Sequence, residues 1–508
     1  MAVESLDALD YHERTNHSPA SVRTSSRRLD FDNRPDPDLE YVGLPTIDLC
    51  DAIGSLSMPT LSAIAVSDRG APDEVPNRET IATLAQYSVG ITTELELRDR
   101  TARFRAAACT GALYHIDLYL ICGELSDLDA GVYHVDPRGP SLDVLRTGDV
   151  RGILAEAAGT DVSEAPVTVV ATSTWWRNAW KYDDRTYRHA FWDGGTVLAN
   201  LLAGAHALDQ PASVITGFVD DTIVEVLGLD PDEIAPIALV PIGGGMAAPA
   251  IGAVETIDPT IAPLSPDPRS QPAVSAAWRA GRLADGVEVR RWRDAAEPMN
   301  APPTEARSRI AIDPVDDTTA TARPLGLTIQ RRGSCRRYEL SAVSFRQFST
   351  VLDRAVRGVP MDVRSSDDPP VSFVEAYILV NDVEGLEAGI YQFDPIDGVL
   401  VQLRVGSDRP GAGHLALDQR LGADAAACIY LMADLEAMVD RLGDRGYRVA
   451  QLEAGLTMGR LYLATYAHRT LGGTGLTFYD DVVTEYLSPW ASGRSPMTLY
   501  TIGRPASR

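Results

Sequence analysis

The chain repeats itself, and the repeat limits what it can fold into more than any other feature. AGVYHVDP, Ala130–Pro137, recurs as AGIYQFDP, Ala388–Pro395, 258 positions later. Three further matches follow at 260 positions: DRTYR, Asp184–Arg188, with DRGYR, Asp444–Arg448; GFVDD, Gly217–Asp221, with TFYDD, Thr477–Asp481; and PIG, Pro241–Gly243, with TIG, Thr501–Gly503. Four matches in one order at nearly constant spacing make two copies of one unit, and 508 residues are enough for two cores. The expected organisation is an extended N-terminal arm over 1–60, a first domain over 61–246, a linker with a short helix over 247–317 and a second domain over 318–508. That linker helix is placed in VSAAWRAGRLADGVEVRRW.

Each copy reads the same way. HIDLYLI and FVEAYIL alternate like half-buried strands, the AG-[VI]-Y motif suits a hairpin strand, and VTVVATS and AACIYLMA suit buried strands. A long helix follows in each, RHAFWDGGTVLANLLAGAHAL or RVAQLEAGLTMGRLYLATYAH, apolar nearly all round and so in a core or interface. A short helix and a closing strand, IALVPIG or MTLYTIG, end the unit. The fold class is α+β, with helices covering mostly antiparallel sheets. Asp220–Asp221 and Asp480–Asp481 are expected to cap the short helix.

Charge and cysteine usage exclude several functions. With 71 Asp+Glu against 46 Lys+Arg the formal charge is −25, which repels nucleic acid and anionic lipid. The uncharged stretch Ala235–Val254 holds prolines and glycines that disfavour a spanning helix. The start, MAVESLDALDYHER, lacks the basic and apolar regions of a signal peptide. The 5 cysteines are scattered and the 8 histidines show no ligand spacing, so no metal is expected. A soluble protein of the reducing cytoplasm is expected, with no nucleic-acid or membrane partner.

The copies differ where chemistry could sit. The second opens with QRRGSCRRYE, in which Arg332, Gly333, Ser334 and Arg336 combine guanidinium forks, a hydroxyl and backbone amides into a phosphate cradle. A solvated basic cluster is the plain alternative. The first copy has VSDRGAPDE there, with Asp68, Arg69, Gly70 and Ala71 in place of the cradle. Conversely, the first copy packs Cys109, Thr110, Gly111 and Ala112 into a turn that lets amides approach a flat ligand, where the second has Pro369 and Pro370. The first copy also keeps Lys181–Tyr182, which become Arg441–Leu442. Lys181 is the one lysine in the chain, and lysine can lose its proton where arginine cannot.

RRGSCRR, ACTGALYHIDLY, the AG-[VI]-Y-x-[FV]-D-P hairpin, WKYDDRTYR and GF-x-DD together resemble the nitroreductase superfamily. With the YHERTNHSP arm, they most resemble its SagB/ThcOx-type dehydrogenases. Cys109 and Thr110 stand where that family often has Ser-Ala, and Thr477 replaces the glycine kept as Gly217. The resemblance implies a tandem nitroreductase-like fold, an intramolecular pseudo-dimer holding FMN where the halves meet. It implies that Arg332, Gly333, Ser334, Arg336, Cys109–Ala112, Leu476, Thr477 and Arg504 bind the cofactor. Lys181 and Tyr182 would be catalytic in oxidising a peptide azoline to the azole, with a small-molecule or modified-peptide substrate and a possible cyclodehydratase complex. Arg185 or Arg188 would crowd Lys181 to bring its proton within reach of neutral pH. The rival expectations are an NAD(P)H-dependent FMN nitro or quinone reductase and a flavin-free scaffold. One working flavin pocket per chain is expected.

Overall fold

The alternating and buried apolar runs of both copies become antiparallel strands, as their period of two requires. A computed structural model describes all residues except 1–5, 26, 66–72, 97–100, 251, 253–254, 296–306, 317–322, 364–371, 407 and 507–508. The calls on Asp68–Ala71 and on Pro369 and Pro370 lie outside the described residues. In chain order the strands are β1 (Thr46–Asp48), β2 (Ile91–Glu96), β3 (Thr101–Arg105), β4 (Ile116–Cys122), β5 (Gly131–Asp136), β6 (Ser141–Thr147), β7 (Val167–Thr174) and β8 (Ile234–Ile242). The second half adds β9 (Ser308–Ala311), β10 (Tyr338–Glu339), β11 (Glu375–Val380), β12 (Gly389–Asp394), β13 (Val399–Val405), β14 (Ala427–Ala433), β15 (Gly472–Leu476) and β16 (Ser495–Pro505).

One large sheet runs β1-β6-β5-β4-β7-β8; the other large sheet runs β9-β13-β12-β11-β14-β16-β10, with β15 paired to β16, and β2 pairs with β3 alone. The order is the same in both, and so are the irregularities. The register shifts at Val132/Tyr133 and again at Ile390/Tyr391, and at Ala171/Thr172 and again at Leu431/Met432. A bulge is a local kink with its own twist, so its recurrence at matching positions is a stronger sign of common construction than strand order alone.

The two apolar helices, Thr186–Ala207 and Asp444–Ala467, pack on each other at the centre. They touch at Gly195 and Gly455, where a Cβ on either residue would overlap the other helix's backbone. This contact explains why both helices are buried on every side: each faces its own sheet and the opposite helix.

Asp220 and Asp480 open the short helices Asp220–Leu227 and Asp480–Leu487 but do not cap them, contrary to expectation. Each is drawn instead to two arginines of the other copy. Asp480 accepts from Arg185 Nη1 at 3.0 Å and Arg188 Nη1 at 2.6 Å, and Asp220 accepts from Arg445 and from Arg448 Nη1 at 2.7 Å. Burial opposes the charge on Asp480, yet Arg185 and Arg188 hold its carboxyl well below the usual carboxylate range. These crossed pairs tie the halves together and leave Arg185 and Arg188 engaged away from Lys181.

The opening arm is not simply extended. Helix Ala8–Arg14 is capped by Asp7 and buries Tyr11, and Pro19–Thr24 has a Ser18–Ser21 capping box. Among its described residues the linker likewise holds two helices, Pro272–Ala280 and Gly286–Asp294, not one, because Gly281 ends the first and Asp285 caps the second. Arm and linker make the same bonds. Arg185 donates to the Thr15 carbonyl at 2.5 Å, Arg188 to that of His12, and His17 N donates to Asp480 Oδ2 at 2.7 Å. In the other half Arg445 donates to the Gly281 carbonyl at 3.0 Å, Arg448 to that of Trp278, and Leu283 N donates to Asp220 Oδ2 at 3.1 Å. His12, Thr15 and His17 thus correspond to Trp278, Gly281 and Leu283. Among the described residues, no helix is long and apolar enough to cross a membrane.

Candidate active site

The small-residue turn folds tightly between β3 and β4. Gly111, Ala112 and Tyr114 have left-handed φ of 66°, 53° and 49°, with Leu113 at −96° between the last two, which costs free energy at the two non-glycine positions. Asp193, from the first long helix, holds the turn. Its carboxylate accepts from Thr110 N at 2.9 Å, Thr110 Oγ1 at 2.8 Å, His115 Nε2 at 2.9 Å and the Cys109 thiol at 3.2 Å. With Nε2 donating, His115 Nδ1 accepts from Ser173 Oγ at 2.8 Å. The Cys109, His115 and Asp193 donor atoms lie within 4.8 Å of one another, a spacing these hydrogen bonds account for. Burial, and then the Asp193 charge, push the Cys109 thiol well up, so it stays protonated and donates.

Lys181 and Tyr182 end the helix Trp175–Tyr182 and lie directly over this turn. A Cβ on Gly111 would come within 2.8 Å of Tyr182 Oη and 3.4 Å of Lys181 Nζ, so glycine is needed for closeness as well as for φ. Arg177 fixes the helix to the turn through the Tyr114 carbonyl at 2.8 Å and through Asp117. Lys181 Nζ sits 5.1 Å from the centroid of the Tyr182 ring, which packs edge-on against His189. Burial lowers the Lys181 pKa, and Arg34 and Arg336 lower it further. The crowding expected from Arg185 or Arg188 therefore comes from an arm residue and a cradle residue instead. Burial, followed by Asp193 and Cys109, keeps Tyr182 protonated well above neutrality.

The second copy reaches the same place. Arg332 donates through Nε to the Ala106 carbonyl at 3.0 Å and through Nη2 to that of Arg105 at 3.1 Å, three residues before the turn. Its guanidinium lies 5.6 Å from the Tyr462 ring centroid. Tyr462 Oη accepts from Gly475 N at 2.7 Å and lies 3.3 Å from Ser334 Oγ, linking the cradle to β15 and Leu476. Thr477 follows, and its Oγ1 is buried with no hydrogen-bond partner. Arg336 is exposed and has no carboxylate partner among the described residues. A Cβ on Gly333 would meet nothing within 4 Å. Arg504 turns elsewhere, donating to the Ala342 carbonyl at 2.7 Å with Glu384 3.7 Å away.

The structure thus brings together the turn, Lys181–Tyr182, Arg332 and Arg336, with Ser334 and Gly475 joined to Arg332 through Tyr462 and Leu476 and Thr477 following Gly475 in the chain. Sequence reasoning missed Asp193, His115, Tyr462 and Arg34. For Asp193 the signal was a lone carboxylate in an otherwise apolar helix.

A profile of the "Nitroreductase family" matches residues 105–244. A "putative nitroreductase" of Methanocaldococcus jannaschii is 30% identical over 182 residues, 34% of this chain and 87% of that protein. The chain belongs to the nitroreductase family. The crystal structure of a "putative nitroreductase" from Anabaena variabilis superposes with a TM-score of 0.77 at 26% identity, covering 98% of this chain and 99% of that one. The nitroreductase-like architecture therefore extends across both sheets and not only across the residues the profile matches.

Proposed function

We propose that the chain is an FMN-dependent oxidoreductase with one composite site, and that it dehydrogenates a peptide azoline or a related C–H substrate to the aromatic product. The observation that carries this reading is the meeting of Lys181 and the Gly111 turn, from one copy, with Arg332 and Arg336, from the other. The residues fit FMN: among the described residues Arg336 has no counter-charge and Thr477 Oγ1 no hydrogen-bond partner, and Gly333 leaves room for close approach. Arg332, Ser334 and Arg336 would hold the phosphate, and the Cys109–Ala112 turn, Leu476 and Thr477 would border the ring. FMN, when bound, supplies the acceptor for a hydride.

Burial and two guanidiniums disfavour the charge on Lys181, and its neutral form would take the proton leaving the substrate carbon at Nζ. Two electrons and one proton leave as hydride and the second proton rests on the lysine, so the oxidation balances. Tyr182, protonated, orients the substrate through its hydroxyl, and Asp193 keeps the turn in its strained shape. The test is anaerobic bleaching of the bound flavin by a peptide thiazoline. Loss of bleaching in Lys181→Arg with the flavin still bound supports the reading, and unchanged bleaching rejects it. A second reading, an NAD(P)H-dependent nitro or quinone reductase, is favoured by the name of the archaeal relative. It predicts bleaching by NAD(P)H and no dependence on Lys181.

A further inference from the structure

The arm and the linker share their anchors and then part. After Thr15 and His17 the arm passes outside the site: Arg27 donates to the Ala179 and Trp180 carbonyls at 2.7 Å, and Phe31, 69% exposed, packs edge-on to Trp180. After Gly281 and Leu283 the linker turns inward through Gly286–Asp294. It lays Trp292 between Gly217 and Leu442, where a Cβ on Gly217 would lie 2.8 Å from the indole. Trp292 Nε1 donates to the Leu442 carbonyl at 2.9 Å, and the side chain is 7% exposed.

The two positions it touches are not arbitrary. At the repeat spacing Gly217 is the counterpart of Thr477, and Leu442 is the counterpart of Tyr182. The neighbouring Arg293 donates to the Gly217 and Ala158 carbonyls at 2.6 Å and to Asp362 at 2.7 Å. Asp362 in turn accepts from Thr216 N at 2.7 Å and Gly217 N at 2.9 Å. Every polar group around the indole that these bonds name is satisfied, whereas Thr477 Oγ1 at the first site is left without a partner.

We infer that the chain retains a second site for a flat heteroaromatic ring and fills it with its own Trp292, held there by Arg293 and Asp362. This rests on the reading of the first site as the flavin site. It goes beyond that reading, because a degraded phosphate cradle alone would weaken a second ligand, whereas an indole in the ring position excludes it sterically. It also explains Gly217: a side chain there would collide with the ring.

The test uses the full chain, first saturated with FMN and then titrated with lumichrome, a flat ring system without phosphate. Trp292→Gly should bind one equivalent with affinity about tenfold or more above wild type. Trp278→Gly is the control, since Trp278, 0% exposed, is also buried in the same helix pair, but its indole donates to the Pro236 carbonyl and is not among the atoms nearest Gly217. Equal lumichrome affinity in the two variants overturns the inference. Where Trp292→Gly does not fold, Arg293→Ala keeps the ring and removes the bonds holding its helix. A gain of about threefold or more over wild type is then expected, and no gain overturns the inference. If wild type binds no FMN while Trp292→Gly gains lumichrome, the flavin reading fails and the filled ring site stands.

Discussion

Replacing Asp193 tests whether the turn is built or merely present. Its carboxylate takes four donors, and Asp193 and His115 are 2% and 0% exposed. Asp193→Ala strands His115 Nε2 in the interior and Thr110 N at the half-buried turn, and an unpaired buried donor costs about 1–3 kcal/mol. A water entering the vacated space would recover part of this, which leaves about 2–4 kcal/mol of lost stability. Asp193→Asn should cost less, about 1–2 kcal/mol. Its carbonyl can still take Thr110, and its amide can donate to His115 Nε2 if the imidazole shifts its proton to Nδ1 and Ser173 Oγ accepts. Losing the anchor also frees the left-handed residues Ala112 and Tyr114, whose strain is about 1–3 kcal/mol each, so the turn should relax and FMN affinity should fall about tenfold or more. Guanidinium unfolding of the apo-protein and flavin fluorescence titration measure the two effects separately. If Asp193→Ala costs less than about 1 kcal/mol and FMN affinity is unchanged, the turn is not held as described.

Other outcomes follow from the same contacts. Arg336→Ala should weaken FMN by about tenfold or more without lowering stability, because among the described residues its guanidinium has no counter-charge to lose; equal affinity by titration would remove it from the phosphate site. Arg332→Ala should weaken FMN and also loosen the halves, since it bonds the Ala106 and Arg105 carbonyls; a flavin effect with no change in unfolding midpoint would contradict that dual role. The rate of substrate oxidation should rise with pH through a midpoint below that of an ordinary lysine, because the neutral amine is the active form and burial, Arg34 and Arg336 lower its pKa. Arg34→Ala should move that limb to higher pH, and an unmoved profile would sever the link. Asp480→Asn and Asp220→Asn should each destabilise by about 3–5 kcal/mol, since each strands two buried guanidiniums; a cost at only one of them would deny the symmetry of the crossed pairs.

The sheets were legible because period-two alternation and buried apolar runs are local signals, and the repeat then supplied their pairing order twice over. The crossed Asp–Arg pairs were not, since DRTYR and GFVDD carry no sign that the partner lies in the other copy. The arm looked extended because His12, Thr15, Asn16 and His17 spend bonds on Arg188 and Asp480, far away in the sequence. Its counterpart in the linker was hidden because the shared bonds use backbone carbonyls and amides, which leave no residue signature. At the site, Gly111 and Lys181 were readable from composition and asymmetry. Arg34 was not, because its effect on Lys181 depends on a chain path from the arm that only the tertiary structure fixes.

The flavin-to-protein absorbance ratio after saturation with FMN and desalting tests the composite site most directly. A ratio near one is predicted for wild type, and near zero for Arg332→Ala/Arg336→Ala. A ratio near two would show that the counterpart pocket also binds and that the site does not require these particular halves.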